Sequence, residues 1–334
     1  MSKSNVIEER AHVKLGPKDC VLGLDIGGTK IAAGLVTRDG SLLGRMHRSP
    51  TPARGTSDRM WEVVVKVCEK ALAASGNPKI KGIGVGCAGP MVWPDGVVSP
   101  LNITAWRGFP LQRRLKEHFP KIPVRVHNDA ITMAAAEHWI GAARGLDHAL
   151  GMVVSTGVGG GFIIGNQLVD GGLGNAGHIG HVVVDPTGPS CHCGGRGCLE
   201  AIARGPSTAG WAVEQGWTPH SKEASADAKT LASDARDGDE IAIAAFARSG
   251  EAVGIALASV TALLDLDIAV IGGGLVQSGP LLMAPMRRAF AYHAGLKFQK
   301  RLRIVPAELD QTAGIVGAAS LIIKSSNYWN PRDE

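Results

Sequence analysis

The stretch that decides the fold is VLGLDIGGTKIAAGLVT, which occupies residues 21–37. Two apolar runs flank a turn made of Gly27, Gly28 and Thr29, and a second turn at Asp39-Gly40 leads into a third run, SLLGRMHRS. An Asp-Gly pair between apolar runs is a strong hairpin signal. The pattern therefore predicts three consecutive strands joined by tight turns.

The same arrangement recurs from residue 148 onward, where HALGMVVSTG and VGGGFIIG are followed by a Gly165-Asn166 turn and QLVDG. The letters differ, but the order of apolar strand, glycine turn, strand and hairpin is shared, which indicates an internal duplication. Further strands are predicted in the apolar runs at 79–89, 122–129, 267–274 and 301–307. Helices are predicted from Thr56 or Ser57 to Gly76, from Ala130 to Ala143, over most of 200–264, around 279–293 and at about 313–324.

Strands that alternate with helices predict an α/β fold, and two related halves predict two lobes around a central cleft. We expect a flexible leader over residues 1–19. A small N-terminal lobe is expected over 20–128, completed by the closing C-terminal helix at about 313–325. A large lobe is expected over 129–312, followed by a tail at 326–334.

Charge and hydropathy narrow the function classes. The 35 Lys and Arg residues and 30 Asp and Glu residues give a net charge of +5 that is spread along the chain. The sequence has no basic block of the kind that indicates nucleic-acid binding. It also has no uninterrupted apolar window of the ~18 residues that span a bilayer. The first 19 residues lack the apolar core of a signal peptide. We therefore expect a cytoplasmic protein without nucleic-acid or membrane partners.

The first candidate site is the loop Asp25-Ile26-Gly27-Gly28-Thr29-Lys30. A strand that ends in a carboxylate and two glycines exposes backbone N–H groups for phosphate oxygens. The carboxylate needs Mg²⁺ or water between itself and a phosphate, which favours a metal-bound nucleotide. For this hexapeptide alone, a plain tight hairpin is an equally good interpretation. The second glycine loop, which spans residues 155–161, favours phosphate binding because two matching loops are what a polyphosphate site requires.

A dinucleotide-binding fingerprint is also matched by Gly84-Val85-Gly86-Cys87-Ala88-Gly89, which follows a predicted strand. Pro90 and Pro94 stand where the helix of that fingerprint should begin, and no acidic residue lies at the expected distance. We interpret the match as accidental. The sequence also contains no G-x-x-x-x-G-K-[ST] loop.

The pair Asn128-Asp129 lies at the junction of a predicted strand and a predicted helix. One interpretation is a helix cap, which is a common use of both residue types and is favoured by the spacing alone. The other is a carboxylate placed to take a proton from a substrate hydroxyl while Asn128 binds another hydroxyl. The two roles are compatible, because a capped and rigid aspartate is a well-placed base.

The strongest local signal is His181 followed by Cys191, Cys193 and Cys198. One histidine and three cysteines make a donor set for a closed tetrahedral zinc site of the structural type. His192 lies between two of the ligands and is left out of the predicted set. Buried thiols without a metal are the weaker interpretation for this spacing, so we expect one Zn²⁺ that braces the loop 181–198.

Together the DIGGTK loop, the Asn-Asp pair, STGVGGG and the stretch from GHIGH to CHCGGRGCLE resemble the ROK family (repressors, open reading frames, sugar kinases), within the sugar-kinase/actin/heat-shock-protein-70 superfamily. The resemblance runs from about Cys20 to Ile322. It implies two actin-like (ribonuclease H-like) lobes, an ATP-dependent sugar kinase and a homodimer or homotetramer.

The resemblance also implies roles for matching residues. Asp129 would be the catalytic base, and His181 would bind zinc through one ring nitrogen and a sugar hydroxyl through the other. The substrate-binding residues would be Gly89, Asn128, Asp129, His178, His181 and Glu200. Asp25 would interact with Mg²⁺, and the ATP-binding residues would be Asp25, Gly27, Gly28, Thr29, Lys30, Thr156, Gly157, Gly273 and Gly274.

One position departs from the family pattern. The glucokinase pattern is E-x-G-H, whereas this chain has His178-Ile179-Gly180-His181. A histidine at the first position resembles N-acetylmannosamine kinases and some actinobacterial-type glucokinases, and the run SPLNITAWRGFPL resembles the latter more closely. We expect glucose phosphorylated at its 6-hydroxyl, with N-acetylmannosamine or another amino sugar as the alternative. Polyphosphate stays open as a donor beside ATP.

A sugar-sensing repressor of the same family is the rival from another class. Such repressors carry an additional N-terminal DNA-binding domain, and only 24 residues precede Asp25 here. With DIGGTK and Asp129 both present, we expect the enzyme.

Overall fold

The computed structural model describes residues 13–221, 223–309 and 312–328. Its strands, numbered in chain order, are β1 (Cys20–Ile26), β2 (Lys30–Thr37), β3 (Leu42–Pro50), β4 (Ile80–Cys87), β5 (Met91–Val92), β6 (Val97–Val98), β7 (Phe109–Pro110), β8 (Val124–Asn128), β9 (Ala149–Val154), β10 (Val158–Ile164), β11 (Gln167–Leu168), β12 (Ile268–Gly272) and β13 (Arg303–Pro306). Its α-helices are α1 (Ser57–Ala74), α2 (Leu111–His118), α3 (Asp129–Ile140), α4 (Leu199–Ala203), α5 (Gly205–Glu214), α6 (Ala228–Arg236), α7 (Glu240–Leu264), α8 (Pro280–His293), α9 (Ala313–Ile323) and α10 (Ser325–Tyr328). The predicted strands and helices are all present, and the short strands β5 to β7 were not predicted.

The two main sheets have the same topology. The first has the strand order β3-β2-β1-β4-β8, and the second has the order β11-β10-β9-β12-β13. In the first sheet, β1 pairs antiparallel with β2 and parallel with β4. In the second, β12 pairs parallel with both β9 and β13. Each sheet is thus a three-strand meander continued by two parallel strands, which confirms the predicted α/β class and internal duplication.

The chain divides into two compact units. Of the described residues, unit 1 contains 13–147, 161–177, 308–309 and 312–328, and unit 2 contains 148–160, 178–221 and 223–307. The predicted boundary at 128/129 assigned α3 to the second lobe, whereas its contacts place it in unit 1. The reason is that α3 packs on α9 and follows β8 directly.

Glycines in β4 allow helices to lie directly on the first sheet. A Cβ at Gly84 would lie 1.7 Å from the backbone oxygen of Ala318 in α9, and one at Gly86 would lie 2.6 Å from Thr132 Oγ1 in α3. No side chain fits at either position without moving backbone or a packed hydroxyl. The G-x-G-x-x-G match in this strand therefore reflects close helix packing, and no helix follows it within residues 88–110.

The other face of the first sheet carries the main core of unit 1. Apolar side chains of β1 and β4 pack with those of α1 and α2, among them Leu22, Leu24, Val64, Ile83 and Leu115, each less than 1% exposed. Burial of one such side chain stabilises the folded chain by about 1.5–3 kcal/mol. This core fixes the strands whose carboxyl ends carry the candidate site.

Both ends of the described chain pack within unit 1. Val13 and Leu15, within the predicted flexible leader, pack against a buried cluster formed by β1, β2 and α9. Residues 1–12 of that leader, and residues 329–334 of the predicted tail, lie outside the described residues. Tyr328 is buried, and its hydroxyl donates to the backbone oxygen of Ala135. The predicted helix to Ala143 ends at Ile140, because the backbone of Gly141 leaves the helical conformation and Ala143 donates its backbone N–H to the oxygen of Glu137.

Helix α7 is the described helix that is long and apolar enough to cross a membrane. Its most apolar 18-residue window is 61% buried within the chain. Phe246, Val253 and Leu257 are fully buried, and Gly250 and Gly254 lie against the backbone of α8. The helix is accounted for as the central core helix of unit 2.

Candidate functional site

Three parallel strands of unit 1 end side by side. The register places Ile26 of β1 beside Cys87 of β4, and Cys87 beside Asn128 of β8. Asp25 precedes the end of β1 by one residue, and Asp129 follows the end of β8. The sheet therefore brings the two predicted functional carboxylates to one edge, with the buried Cys87 thiol between their strands.

Both carboxylates are half-buried and poorly hydrated. Dehydration and, as a smaller contribution, the negative charge of Asp25 together raise the pKa of Asp129 to about 6. Dehydration also raises the pKa of Asp25, while Lys30 and Arg48 oppose that shift. Burial raises the pKa of the Cys87 thiol, and both carboxylates add to that effect. A carboxyl group that titrates near pH 6 can accept a proton at neutral pH and release it afterwards.

Asn128 is the N-cap of α3, which confirms the cap interpretation for this residue. Its Oδ1 accepts a hydrogen bond from the backbone N–H of Ala130 at 2.9 Å. Asp129 is the first helical residue, and its Oδ1 accepts from the same N–H at 2.9 Å. Both side chains are thus fixed by one oxygen each, which leaves Asn128 Nδ2 and Asp129 Oδ2 for other partners.

The predicted phosphate loop of unit 1 is a tight turn. The backbone N–H of Gly27 donates to the oxygen of Lys30, and the Thr51 hydroxyl donates to the oxygen of Gly27. Thr29 and Lys30 are exposed. Asn102 lies across the turn, since a Cβ at Gly28 would be 2.5 Å from its Nδ2. Sequence reasoning missed Asn102, which occurs within the quoted SPLNITAW run.

Gly89 follows β4 by two residues, at the same sheet edge as Asp129. Its backbone oxygen accepts a hydrogen bond from the N–H of Leu101 at 3.3 Å. This contact connects the end of β4 to the segment that carries Asn102. The predicted unit 1 residues Asp25, Gly27, Gly28, Gly89, Asn128 and Asp129 therefore lie on neighbouring strand ends and loops.

In unit 2 the four predicted metal ligands converge. One donor atom from each of His181, Cys191, Cys193 and Cys198 lies within 4.8 Å of all the others. Cys191 Sγ is 3.8 Å from His181 Nδ1, and Cys193 Sγ is 3.7 Å from Cys198 Sγ. His192 is outside the group, as predicted, and its Nδ1 lies 3.3 Å from Arg204 Nη1. This group of donors could hold a metal ion.

His178, His181 and Glu200 form the predicted sugar-binding part of unit 2. The rings of the two histidines are 6.0 Å apart between centroids. Burial lowers the pKa of His178, as does the neighbouring His181, while the Glu200 carboxylate opposes that shift. His178 is therefore a neutral ring at pH 7, with one donor and one acceptor nitrogen.

The second glycine loop is fixed to the same part of unit 2. Glu200 Oε2 accepts a hydrogen bond from the backbone N–H of Val158 at 2.9 Å, and a Cβ at Gly157 would be 3.0 Å from that oxygen. Gly273 and Gly274 lie on the other side, against Val154 and Ser155. Gly273 has φ of +97°, a conformation that glycine adopts without strain. The predicted nucleotide residues 156, 157, 273 and 274 are thus neighbours.

A buried histidine at the end of β8 was also missed. His127 Nε2 is 2.9 Å from Asp170 Oδ1, and the two residues are 43 positions apart in the chain. Neither residue belongs to a recognisable motif, so nothing local in the sequence could have paired them. His127 directly precedes Asn128 in the chain and therefore adjoins the candidate site.

The duplicated sheets and the His/Cys group agree with the family resemblance that the sequence motifs indicated. The model of the ROK family matches residues 21–325. A glucokinase from Thermotoga maritima is 34% identical over 316 residues, which cover 92% of this chain and 98% of the relative. The chain belongs to the ROK family.

Two further relatives bear on the substrate. An N-acetylmannosamine kinase from Shigella flexneri is 35% identical over 306 residues, covering 90% of this chain and 97% of the relative. The crystal structure of a ROK family glucokinase from Streptomyces griseus in complex with glucose and AMPPNP has a TM-score of 0.79 with this chain. That protein is 33% identical, and the match covers 91% of this chain and 99% of that one.

Proposed function

We propose that this chain is an ATP-dependent hexose kinase that transfers the terminal phosphoryl group of ATP to the 6-hydroxyl of glucose. The observation that carries the proposal is Asp129, a rigidly held carboxylate at a strand end with a pKa of about 6. Asp129 Oδ2 accepts the proton of the 6-hydroxyl as the hydroxyl oxygen bonds to phosphorus and the bond to ADP breaks. Asp129 is ionised at pH 7, as this step requires.

The proposed sugar ligands are each held through one polar atom and offer another. Asn128 offers Nδ2 because its Oδ1 caps α3, and Glu200 offers Oε1 because its Oε2 accepts from Val158. His181 offers Nε2 because its Nδ1 faces Cys191. Such anchoring reduces the rotamer freedom that sugar binding would otherwise remove. His178 and the backbone of Gly89 complete the proposed set.

The proposed ATP ligands are the two glycine loops, with Thr29, Lys30 and Thr156, and the pair Gly273-Gly274. Backbone N–H groups of the loops would donate to phosphate oxygens. The Asp25 carboxylate fits Mg²⁺ by chemistry, because it is an oxygen donor held out of bulk water. Mg²⁺ supplies charge neutralisation on the phosphates when it is bound with ATP. Asn102 supports the turn at Gly28 and is proposed as a positioning residue for that loop.

We propose that the metal held by His181 and the three cysteines is zinc. Tetrahedral coordination with Zn–S bonds of about 2.3 Å separates neighbouring sulfurs by about 3.8 Å. The separation of 3.7 Å between Cys193 Sγ and Cys198 Sγ fits this value. With Nδ1 as ligand, the proton of His181 is held on Nε2, which then donates to a sugar hydroxyl. The zinc is thus proposed to be structural and to orient His181.

An N-acetylmannosamine kinase is the second candidate, and His178 favours it. A neutral imidazole N–H can donate to the acetamido carbonyl at C2, which a glutamate at this position cannot do. The relative of that name from Shigella flexneri is as similar to this chain as the glucokinase is. Glucose remains the first candidate because the run SPLNITAWRGFPL resembles glucokinases.

The test is an ADP-release assay with ATP and one of five sugars: glucose, mannose, N-acetylmannosamine, N-acetylglucosamine or glucosamine. With polyphosphate as the donor, the sugar phosphate is detected instead. We expect the largest kcat/KM with glucose and ATP. A larger value with N-acetylmannosamine would select the second candidate. If none of these sugars is phosphorylated while the chain is folded and holds its metal, the kinase proposal is overturned.

We also propose that the protein acts in the cytoplasm as a homodimer or homotetramer. Light scattering coupled to size-exclusion chromatography measures the subunit number directly. A monomer at micromolar concentration would contradict this part of the proposal.

A further inference from the structure

His127 lies at the end of β8, immediately before the two residues proposed to bind sugar and take its proton. The side chain is 1% exposed and points into unit 1. Its Nδ1 accepts a hydrogen bond from the backbone N–H of Asn128 at 2.9 Å. Its Nε2 lies 2.9 Å from Oδ1 of Asp170, which is 9% exposed. Both ring nitrogens are therefore in use.

These contacts determine where the ring carries its proton. Because Nδ1 accepts from an N–H group, it holds no proton of its own. The proton of the neutral ring is then on Nε2, which donates to the Asp170 carboxylate. A carboxylate acceptor strengthens such a bond and selects this tautomer. If the proton moved to Nδ1, it would face the Asn128 N–H, and the hydrogen bond between the ring and that backbone group would be lost.

Asp170 is itself held in place. Its backbone oxygen accepts a hydrogen bond from Ala176 at 3.0 Å, which closes a compact loop after β11. Asn175 in the same loop bonds both polar backbone groups of Met91, through Oδ1 at 3.1 Å and Nδ2 at 2.9 Å. The carboxylate that orients His127 thus belongs to a rigid segment of unit 1.

We propose that His127 and Asp170 are a positioning pair for Asn128 and Asp129. Asp170 fixes the tautomer of His127, His127 fixes the peptide group of Asn128, and that peptide group sets the direction in which Asn128 and Asp129 leave the strand. Neither member of the pair touches substrate. The inference rests on the proposed function of Asn128 and Asp129, and it adds two residues to that function.

The first test separates positioning from plain stability. Asp170→Asn keeps an oxygen that can accept from His127 Nε2, whereas Asp170→Ala removes the acceptor. His127→Gln keeps a donor toward Asp170 but removes the acceptor for the Asn128 N–H. We expect Asp170→Ala and His127→Gln to lose about ten- to a hundredfold in kcat, the scale for a displaced reacting group. The KM for ATP should change less than about twofold, and Asp170→Asn should keep at least about a third of the wild-type kcat.

The second readout does not need an active variant. Nitrogen NMR of the ¹⁵N-labelled imidazoles in the full chain, assigned by the signal lost in His127→Gln, reports the tautomer. We expect an Nε2–H ring in the wild-type protein and in Asp170→Asn. An Nδ1–H ring or an imidazolium at pH 7.5 in the wild type would overturn the proposal without any measurement of activity.

Two kinetic results would also overturn it. One is a folded Asp170→Ala protein with wild-type kcat and a lower melting temperature, which would reduce the pair to a structural contact. The other is an equal loss in Asp170→Asn and Asp170→Ala, which would contradict the acceptor role. Failure of the proposed function itself is recognised separately, because the wild-type protein would then phosphorylate no sugar while the tautomer could still be measured.

Discussion

The two glycine loops occupy the same place in two sheets of the same topology, yet each acquires its carboxylate differently. In unit 1 the carboxylate is Asp25, which belongs to the strand that leads into the loop. In unit 2 it is Glu200, which comes from α4 and is 42 residues from the Val158 N–H that it accepts. The shared topology thus sets the position of each loop, and the rest of the chain decides its chemistry.

The electrostatics of the two regions differ in the same way. In unit 1, the sheet places two carboxylates at one edge, and dehydration raises the pKa of both. In unit 2, Glu200 is held by a backbone N–H, and the neighbouring donors converge on a metal position. Unit 1 therefore has the properties needed to move a proton, and unit 2 has those needed to hold a ligand rigidly. The predictions below test this division of roles.

The largest effect is expected in unit 1. Asp129→Asn should lower turnover by at least about 10²-fold, the scale for loss of a general base. Glucose binding, measured by calorimetry, should remain within about threefold. The melting temperature at pH 7 should be unchanged or higher, because the variant no longer holds a dehydrated charge. Asp58→Asn, on an exposed side chain of the same unit, is the matched control and should keep full activity.

Near wild-type turnover in Asp129→Asn would mean that Asp129 only caps the helix and that the base lies elsewhere. Loss of glucose binding together with turnover would instead assign Asp129 to binding alone.

The metal group in unit 2 should affect stability and sugar binding together. We expect one zinc per chain by elemental analysis, and Cys198→Ser should remove it. The melting temperature should then fall by about 5–10 °C, and the KM for glucose should rise at least about tenfold because His181 loses its orientation. His192→Ala changes a histidine of the same loop outside the group and should keep the zinc. A zinc-free protein with unchanged melting and full activity would contradict the assignment.

The acid limb of the pH profile tests the carboxylate pair. Asp129 acts as a base only when ionised, so kcat/KM for glucose should fall as the pH drops through about 6. The rate at pH 5 should be about tenfold below its plateau, with an apparent pKa that belongs to the pair. Asp25→Asn removes the neighbouring negative charge, which should lower the pKa of Asp129. The acid limb of the activity that remains should therefore move to lower pH. A limb that stays in place would show that Asp25 does not raise the pKa of Asp129.

Sequence reasoning predicted most of the scaffold because its signals are local. Glycine turns between apolar runs defined the strands β1, β2, β9 and β10, and the spacing of three cysteines defined the metal group. The small sheet β5 to β7 was missed, because strands of two residues carry no periodic pattern. The pair His127–Asp170 and the contact of Glu200 with Val158 were missed as well. Each joins residues more than 40 positions apart, which only the folded chain brings together.

The smallest expected effect concerns His178, where unit 2 meets the sugar in the proposed site. Burial lowers its pKa, so the ring is neutral at pH 7 and presents one donor and one acceptor. A glutamate in its place would accept from vicinal hydroxyls as a charged group, and it would add a negative charge near Glu200. The wild-type site should therefore discriminate weakly against sugars that are substituted at C2.

His178→Glu should raise the ratio of kcat/KM for glucose to that for N-acetylmannosamine by about three- to tenfold, within the range of a single polar contact. The ratio is the right quantity because it cancels changes that affect both sugars equally. His178→Gln is the matched control, since it keeps a neutral donor and acceptor and should leave the ratio near its wild-type value. An unchanged ratio in His178→Glu would mean that residue 178 does not contact the C2 substituent. Unit 2 would then hold the sugar through His181 and Glu200 without reading that position, and the argument for an amino-sugar substrate would lose its physical basis.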